Sequence, residues 1–392
     1  MLSRVPTLLG YQSKQLRAMR EYLGGLAGLS GADVASLLQK EPRILSYSVA
    51  GTVLDVVEFL RGLGIKLEGI LELLLRHPRT LGASVERTLR PAVSTLKDMG
   101  FSRADIARKV VQQPHLLACK PERYKDLLCL MQEYGITIEV AKRALKDEPG
   151  SITWSVNSME QFLRNIQQLT NPPLDLNKVL HRGRSLLRST PACHARMVQW
   201  LRTNLQLSEK ELRHILSKGP GILTRSTELM SRRAMEYTEA GFTLEDIKDI
   251  LCRQPSVIGL SFQQNLLPKL LLLKGLGGKA GGDPLTEVEI RQLVVSFPSI
   301  LTLSLANIES KLDYLVTELQ RKHRDILACP FYLSTSMEKW IVPRTTYLQA
   351  RGIDQHSFTL NQLFSSTDAK FCKSLGTDLE DYTAFKLNMH GK

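Results

Sequence analysis

The sequence has few of the residues that stabilise small secreted domains and no run that could cross a membrane. Only six of its 392 residues are cysteine, and none forms a C-x-x-C pair, which excludes a disulfide framework and a zinc site of that type. The longest apolar stretch, Leu266 to Leu273, is interrupted by Pro268 and Lys269 and is far too short to span a bilayer. Aromatic residues make up only 6% of the chain, and an apolar content that is mostly Leu, Ile and Val favours stacked helices.

Motifs that carry catalysis are also missing. The eight histidines contain no H-x-x-x-H pair, the chain has no G-x-S-x-G, and His323-Arg324-Asp325 lacks the other motifs of a kinase. The glycine-rich segment GLGGKAGGDP, residues 275–284, does not fit a phosphate-binding loop, because Leu273 stands where its first glycine should be and no strand precedes it. We therefore expect no enzyme activity, no cofactor and no metal.

Basic residues outnumber acidic ones. The chain has 52 Lys and Arg against 39 Asp and Glu, a net charge of +13 and a pI near 9.5. Such an excess favours phosphate backbones or anionic membrane surfaces as partners. A basic protein without a polyanionic partner has the same composition, so the charge alone leaves both possibilities open.

Prolines recur at a nearly constant interval and define a repeat. The first four steps are 36, 36, 36 and 35 residues, and Gly183 stands in the place of a missing proline before the series resumes. The ten positions average 36 residues per unit, a period typical of solenoids and arrays. The series runs through Pro6, Pro42, Pro78, Pro114, Pro149, Gly183, Pro220, Pro255, Pro298 and Pro330.

Helix start and stop signals lie between the prolines. Capping boxes, in which Ser or Thr is followed three residues later by Asp or Glu, begin at Ser30, Ser102, Ser208, Thr243 and Thr286. Residues suited to a left-handed helix stop precede most of them: Gly28, Gly64, Gly100, Gly135, Asn204 and Gly241. The predicted unit is therefore a helix, a stop, a second helix and a short turn that begins at proline.

Apolar residues within a unit form helical stripes that one unit cannot bury alone. In the third unit one stripe contains Ile106, Val110 and Val111, and the other contains Tyr124, Leu127, Leu128, Met131 and Tyr134. Neighbouring units must stack to cover them. The sequence thus predicts an all-α superhelical solenoid of about ten repeats of ~36 residues, each with two helices and a Pro-led 3₁₀ turn. We assign residues 1–350 to the array, with a flexible insertion at 275–284, and residues 351–392 to a C-terminal cap.

Basic residues are concentrated in the middle of the chain and beside the proline turns. Between Lys178 and Arg233 there are twelve Lys or Arg and only three Glu, and nine of the twelve are Arg, whose planar fork fits phosphate. Equivalent positions in stacked units lie along one line, which would make a basic track; a solvated helix face is the alternative. The candidate nucleic-acid-binding residues are Arg76, Arg79, Arg182, Arg184, Arg188, Arg196, Lys218, Arg225, Arg232, Arg233, Arg253 and Arg344.

The repeat and the C-terminal sequence resemble those of the mitochondrial transcription termination factor (mTERF) family. The stretch CPFYLSTSMEKWIVPRTTYLQARGI, followed by LNQLFSSTDAKF, is similar to the closing units of that family. Trp340 replaces a residue that is usually basic there. The positions that match are Ser336, Lys339, Ile341, Pro343, Arg344, Asp368 and Phe371.

The resemblance implies a left-handed array of triangular helical units with a basic concave groove. It further implies a monomer that binds double-stranded DNA, or RNA, inside a chloroplast or mitochondrion and acts in transcription termination or initiation. RNA binding for intron splicing or ribosome maturation stays open, as does a protein-interaction scaffold. The basic N-terminal sequence is at most the stub of a transit peptide, and no membrane partner is expected.

Overall fold

The structure, a computed structural model, describes residues 13–25, 31–275 and 284–390. This part of the chain consists of helices and turns and contains no strand, which confirms the all-α repeat fold. Pro6, Gly28, Ser30 and most of the predicted insertion lie outside the described residues. The chain divides into two compact units, Met1–Pro191 and Ala192–Lys392.

The first unit consists of helix pairs, each followed by a short 3₁₀ turn. The turns are Pro42–Ser46, Pro78–Gly82, Pro114–Ala118, Pro149–Thr153 and Leu186–Arg188. The helices are α1 (Ser13–Gly25), α2 (Gly31–Lys40), α3 (Leu54–Gly62), α4 (Leu67–Arg76), α5 (Arg90–Asp98), α6 (Arg103–Gln112), α7 (Pro121–Glu133), α8 (Ile138–Asp147), α9 (Val156–Gln167) and α10 (Leu176–Arg182).

The second unit continues the same order of elements. Its repeat turns are Pro220–Thr224, Val257–Gly259, Pro298–Thr302 and Pro330–Ser334. Its helices are α11 (Pro191–Asn204), α12 (Glu209–Lys218), α13 (Thr227–Glu239), α14 (Leu244–Arg253), α15 (Leu267–Leu273), α16 (Glu287–Ser296), α17 (Leu305–Thr317), α18 (Val342–Ala350), α19 (Leu360–Phe364), α20 (Asp368–Leu375) and α21 (Leu379–His390). The predicted boundary between an array ending at 350 and a cap stays a prediction.

Proline ends the second helix of a repeat, as predicted. In the second turn, His77 leaves the helical conformation with φ −138° and ψ 72°, and Pro78 is buried. The amide of Thr80 donates to the carbonyl of His77 at 3.1 Å. The same bond recurs in the fifth turn, from Leu186 to Gly183. Gly183 is therefore equivalent to His77, and Arg184 takes the proline position. The sequence-based alignment of this repeat was wrong by one residue.

Local signals determine where the helices begin and end. Gly64, Gly100, Gly135 and Gly241 have positive φ, which confirms the predicted stops, whereas the positive φ predicted at Asn204 occurs at Gln206. The capping boxes at Ser208, Thr243 and Thr286 are complete, and Ser102 caps its helix through its hydroxyl. A π-helical turn precedes four of the first helices: Val49–Val53, Val85–Leu89, Phe262–Leu266 and Met337–Ile341. Seven first helices, with these turns, are capped by serines whose side chains accept an amide three residues on: Ser48, Ser84, Ser155, Ser226, Ser261, Ser304 and Ser336.

The core of each unit lies between successive repeats. Ile106 and Val110 on α6, and Leu127 and Met131 on α7, are buried as the apolar stripes predicted. First helices contact the first helices of the next repeat, such as α5 with α7 and α7 with α9. Second helices pair in the same way, such as α12 with α14. Each fully buried Leu or Ile contributes roughly 1.5–3 kcal/mol, so an isolated repeat would lose most of its stabilisation.

Candidate nucleic-acid interface

Many basic side chains bind backbone carbonyls of a neighbouring repeat. In the first unit Lys40 Nζ donates to the carbonyl of Leu75 at 2.8 Å, and an Arg143 guanidinium nitrogen donates to that of His181 at 2.7 Å. These acceptors lie in the last turn of a helix, where carbonyls lack helical partners and carry the negative end of the dipole. The net charge of +13 therefore overstates the number of cations that are available to a polyanion.

Two candidate residues of the first unit are held by carboxylates. Arg76, the last residue of α4, pairs with Glu72 at 2.7 Å one turn earlier on the exposed surface. Arg79 pairs with Glu41 at 2.8 Å, across the stacked turns of two repeats. The Arg79 side chain is 80% exposed while that of Glu41 is 10% exposed. Arg79 thus neutralises a buried carboxylate but still presents its guanidinium to solvent.

The second unit contains a column of cations that point into its interior. Each cation of this column lies seven residues after the serine that caps its first helix, or eight residues after it where a π-helical turn adds a residue. Lys269 and Lys311 are almost completely buried, and their ammonium groups donate to the carbonyls of Leu301 and Leu333, each at 2.6 Å. Both acceptors belong to the proline turn that ends the same repeat. In chain order the column consists of Arg233, Lys269, Lys311 and Arg344.

Burial changes the ionisation of these lysines. It lowers the pKa of Lys269 from 10.5 to about 8 and lowers that of Lys311, because desolvation disfavours the charged ammonium. Arg233 belongs to the same column; its side chain is 13% exposed and is paired with Glu236. The two lysines hold the first helix of a repeat against its own proline turn. Arg233, already paired and mostly buried, offers little free charge to a ligand.

Arg344 is the innermost cation of the column. Its side chain is fully buried, and one guanidinium nitrogen donates to Asp368 at 2.8 Å and to the carbonyl of Ser366 at 2.7 Å. The other nitrogen donates to the carbonyl of Leu363. This burial contradicts the predicted role of Arg344 as a nucleic-acid ligand, because no part of the side chain reaches solvent.

The family-like residues around Arg344 form an internal cluster. The guanidinium carbon lies 4.5 Å from the centre of the Trp340 ring and 4.7 Å from that of Phe371, so the cation is enclosed between two aromatic rings. Ile341 and Pro343 are buried beside it, and Ser336 caps the helix. The motif that carries the resemblance thus holds the C-terminal helices together.

Three candidate arginines surround the irregular fifth turn of the first unit. Arg182 ends α10, Arg184 takes the proline position and Arg188 ends the 3₁₀ turn, and all three are exposed. A side chain at Gly183 would clash, since its Cβ would lie 2.9 Å from the carbonyl oxygen of Val179. Among the described residues Arg184 and Arg188 have no ion pair or hydrogen bond through their side chains. The sequence contains no acidic residue between Asp175 and Glu209.

The second unit presents its own exposed cations. Lys218 at the end of α12 and Arg225 after the following turn are exposed, and the Arg225 guanidinium packs over Gly259. Arg253 ends α14 and reaches the carbonyl of Ser296 at 3.5 Å.

Two candidates lie on the first helices of this unit. Arg196 on α11 is exposed and contacts the Cys193 sulfur at 3.3 Å. Hydrogen bonds from its own helix start lower the pKa of Glu228, and Arg196 lowers it further. Arg232 on α13 is also exposed, and Met235 follows it on the same face.

Among the residues that the structure describes, no group of three or more His, Cys, Asp or Glu could hold a metal ion. No helix within the same ranges is long and apolar enough to cross a membrane.

The inward cations were missed by the sequence analysis, although a signal for them exists. Lys269 and Lys311 lie in phase with the apolar stripe of their helix, at a position where other repeats have Val56 or Leu127. A lysine or arginine at a position within the apolar stripe of a helix indicates a side chain whose aliphatic stem packs in the core and whose charged end binds a carbonyl.

Comparison with known proteins agrees with this architecture. A family model described as mTERF matches residues 1–91 and 57–372. The Arabidopsis thaliana protein named "Transcription termination factor MTERF2, chloroplastic" is 24% identical over 152 residues, which are 39% of this chain and 22% of that protein. Its relative "Transcription termination factor MTERF8, chloroplastic" is 27% identical over 206 residues, 45% of this chain and 40% of that protein. The matched segments therefore span less than half of either relative, but the family match covers most of the described repeats, and the chain belongs to the mTERF family.

Proposed function

We propose that this protein binds double-stranded nucleic acid in an organelle, DNA in the first place, and regulates transcription by obstructing or recruiting the transcription machinery. The names of both relatives support a role in transcription and a chloroplast address. The proposed activity is binding, without a catalysed reaction. The sequence leads us to expect that the protein binds as a monomer.

The observation that carries the proposal is the acid-free segment between Asp175 and Glu209. At its start Arg184 and Arg188 are exposed and have no protein partner among the described residues. A guanidinium without a carboxylate can form a bidentate bond to phosphate at no cost of breaking an ion pair. Lys218 and Arg225 offer the same chemistry in the second unit.

The exposed side chains favour a duplex over unpaired bases. Proteins that recognise single strands stack bases on aromatic side chains. Phe331 is the one exposed aromatic residue in the described part of the chain, and Trp200, within the basic segment, is 8% exposed and donates its N–H to Ser231. The basic surface therefore offers phosphate contacts and little stacking.

The test is reversal of the charges around the fifth turn. We expect Arg182→Glu, Arg184→Glu and Arg188→Glu together to reduce affinity for duplex DNA by about 100-fold or more, since each lost phosphate contact also removes counterion release. The matched control reverses Arg61, Lys66 and Lys97, which are exposed in the same unit and give an identical change in net charge. Affinity is measured by fluorescence anisotropy at several salt concentrations, and helical content is checked by circular dichroism.

Two results would contradict the proposal. Equal losses in the test and control variants would show that only net charge matters, and unchanged binding in the test variant would remove the fifth turn from the interface. A mixed pool of duplex DNA and structured RNA from the organelle genome separates the two ligands. Enrichment of one DNA site supports a transcription factor, whereas enrichment of intron or ribosomal RNA replaces DNA by RNA in the proposal.

A further inference from the structure

The face of α13 that points to solvent carries an apolar residue between two opposite charges. Met235 is 62% exposed, the largest exposed fraction among the apolar residues of the first helices. Arg232 lies three residues before it and Glu239 four residues after it, so all three share one face of the helix. Among the described residues neither Arg232 nor Glu239 has an ion pair or hydrogen bond through its side chain.

Beside this face lies a groove of about 530 Å³ with an apolar floor. It is bounded by α11, α13 and α14, and its lining includes Trp200, Leu205, Leu244 and Ile247 as well as Met235. Leu244 is 40% exposed on the far wall. An apolar groove next to an exposed methionine is typical of a surface that another protein covers.

We propose that a second copy of this chain covers this face, with the two α13 helices antiparallel about a twofold axis at Met235. A twofold interface requires a surface that is complementary to itself. Antiparallel pairing places Arg232 of each copy opposite Glu239 of the other and directs each Met235 towards the other groove. The charges at the two ends of the face are thus complementary to themselves.

Other occupants fit this face less well. A nucleic acid would meet the apolar floor of the groove and the carboxylate of Glu239, which repels phosphate. An acidic or a basic peptide would pair with one end of the face and be repelled by the other. Only a partner with both charges, in the opposite order, matches Arg232 and Glu239 together.

The contact is small, so the dimer is expected to be weak. One pair of crossing helices lies at the low end of specific interfaces, which predicts half-dimerisation at protein concentrations of about 10–100 µM. This departs from the monomer expected from the sequence. It is compatible with monomeric binding to nucleic acid at nanomolar protein concentration.

Sedimentation equilibrium of the full chain, without nucleic acid and over a concentration series, tests the proposal. We expect Arg232→Glu, Glu239→Arg and Met235→Glu each to raise the dimer dissociation constant by at least about tenfold. The double variant Arg232→Glu with Glu239→Arg restores the pairs and should recover dimerisation. Val288→Glu, at an exposed apolar residue of α16, is the matched control and should leave the constant unchanged.

Three results would overturn the proposal. The wild-type chain could be monomeric up to about 200 µM, a range that includes the weakest expected dimer. A dimer could also persist in all three single variants, which would place the interface elsewhere. Failure of the double variant to recover dimerisation, with its helical content intact, would refute the charge pairing.

Discussion

Replacement of Arg344 by methionine distinguishes a structural role for this arginine from a role in binding nucleic acid. Methionine keeps much of the side-chain volume but removes the charge, the ion pair with Asp368 and the donors to the carbonyls of Leu363 and Ser366. Each of these two carbonyls loses a hydrogen bond from a charged donor, worth about 1.5–3 kcal/mol, whereas Asp368 is 28% exposed and keeps an ion pair with Lys386 at 3.3 Å. The enclosing rings of Trp340 and Phe371 also lose a cation.

The effect should be confined to the C-terminal helices. Arg344 lies on α18, and its acceptors lie in α19, in the turn before α20 and at the first residue of α20. We expect the amides of α18 to α20 to exchange with solvent at least about 100-fold faster in Arg344→Met, measured by hydrogen–deuterium exchange and mass spectrometry. The control is Lys370→Met, since Lys370 is exposed on α20.

The same variant should bind duplex DNA with the affinity of the wild type when it is folded. Unchanged exchange in α18 to α20, together with a loss of affinity, would refute the structural argument and return Arg344 to the binding surface. Faster exchange with unchanged affinity would support it.

Two further predictions concern the packing of the proline turns. A Cβ at Gly219 would lie 2.5 Å from the Cβ of Pro255 in the next turn, so Gly219→Ala should lower the urea midpoint by an amount equivalent to about 1–3 kcal/mol. The control is Gly221→Ala, which has open space around it and should leave the midpoint unchanged. Equal midpoints in the two variants would refute the contact. Burial lowers the pKa of Lys269 to about 8 against 10.5 in the unfolded chain. The unfolded state therefore binds more protons between these values, and the free energy of unfolding should rise with pH over that range by up to about 3 kcal/mol. Lys269→Met should lack this rise in urea titrations from pH 7 to pH 10.5, and an identical pH dependence in both proteins would contradict the buried ammonium.

The repeat could be predicted from the sequence because its signals act locally. Proline lacks an amide hydrogen and ends a helix wherever the fold places it, and glycine at a stop such as Gly64 or Gly241 adopts positive φ without strain. Where a signal was weak the prediction failed. Asn204 tolerates the left-handed region but does not require it, and the chain makes its turn two residues later at Gln206.

The direction in which a cation points could not be predicted in the same way. A lysine in an apolar phase, such as Lys269, has a stem that packs like a leucine and a head that needs an acceptor. Whether an acceptor exists depends on the turn that packs against the helix, here on the carbonyl of Leu301, and that is tertiary information. Arg344 was therefore assigned to the surface although its neighbours bury it.

At the ends of second helices the acceptor lies in the next repeat, and this explains which cations there remain available to a ligand. Lys40 bridges to the carbonyl of Leu75 in the following repeat. In a later repeat Lys218 takes the place of Lys40 and the carbonyl of Cys252 that of Leu75. This carbonyl is contacted at 3.0 Å by His214, one turn before Lys218. His214 makes this bridge, and among the described residues Lys218 has no hydrogen bond or ion pair through its side chain. A basic residue at a helix end is therefore released for a nucleic acid where another residue, such as His214, binds the neighbouring carbonyl.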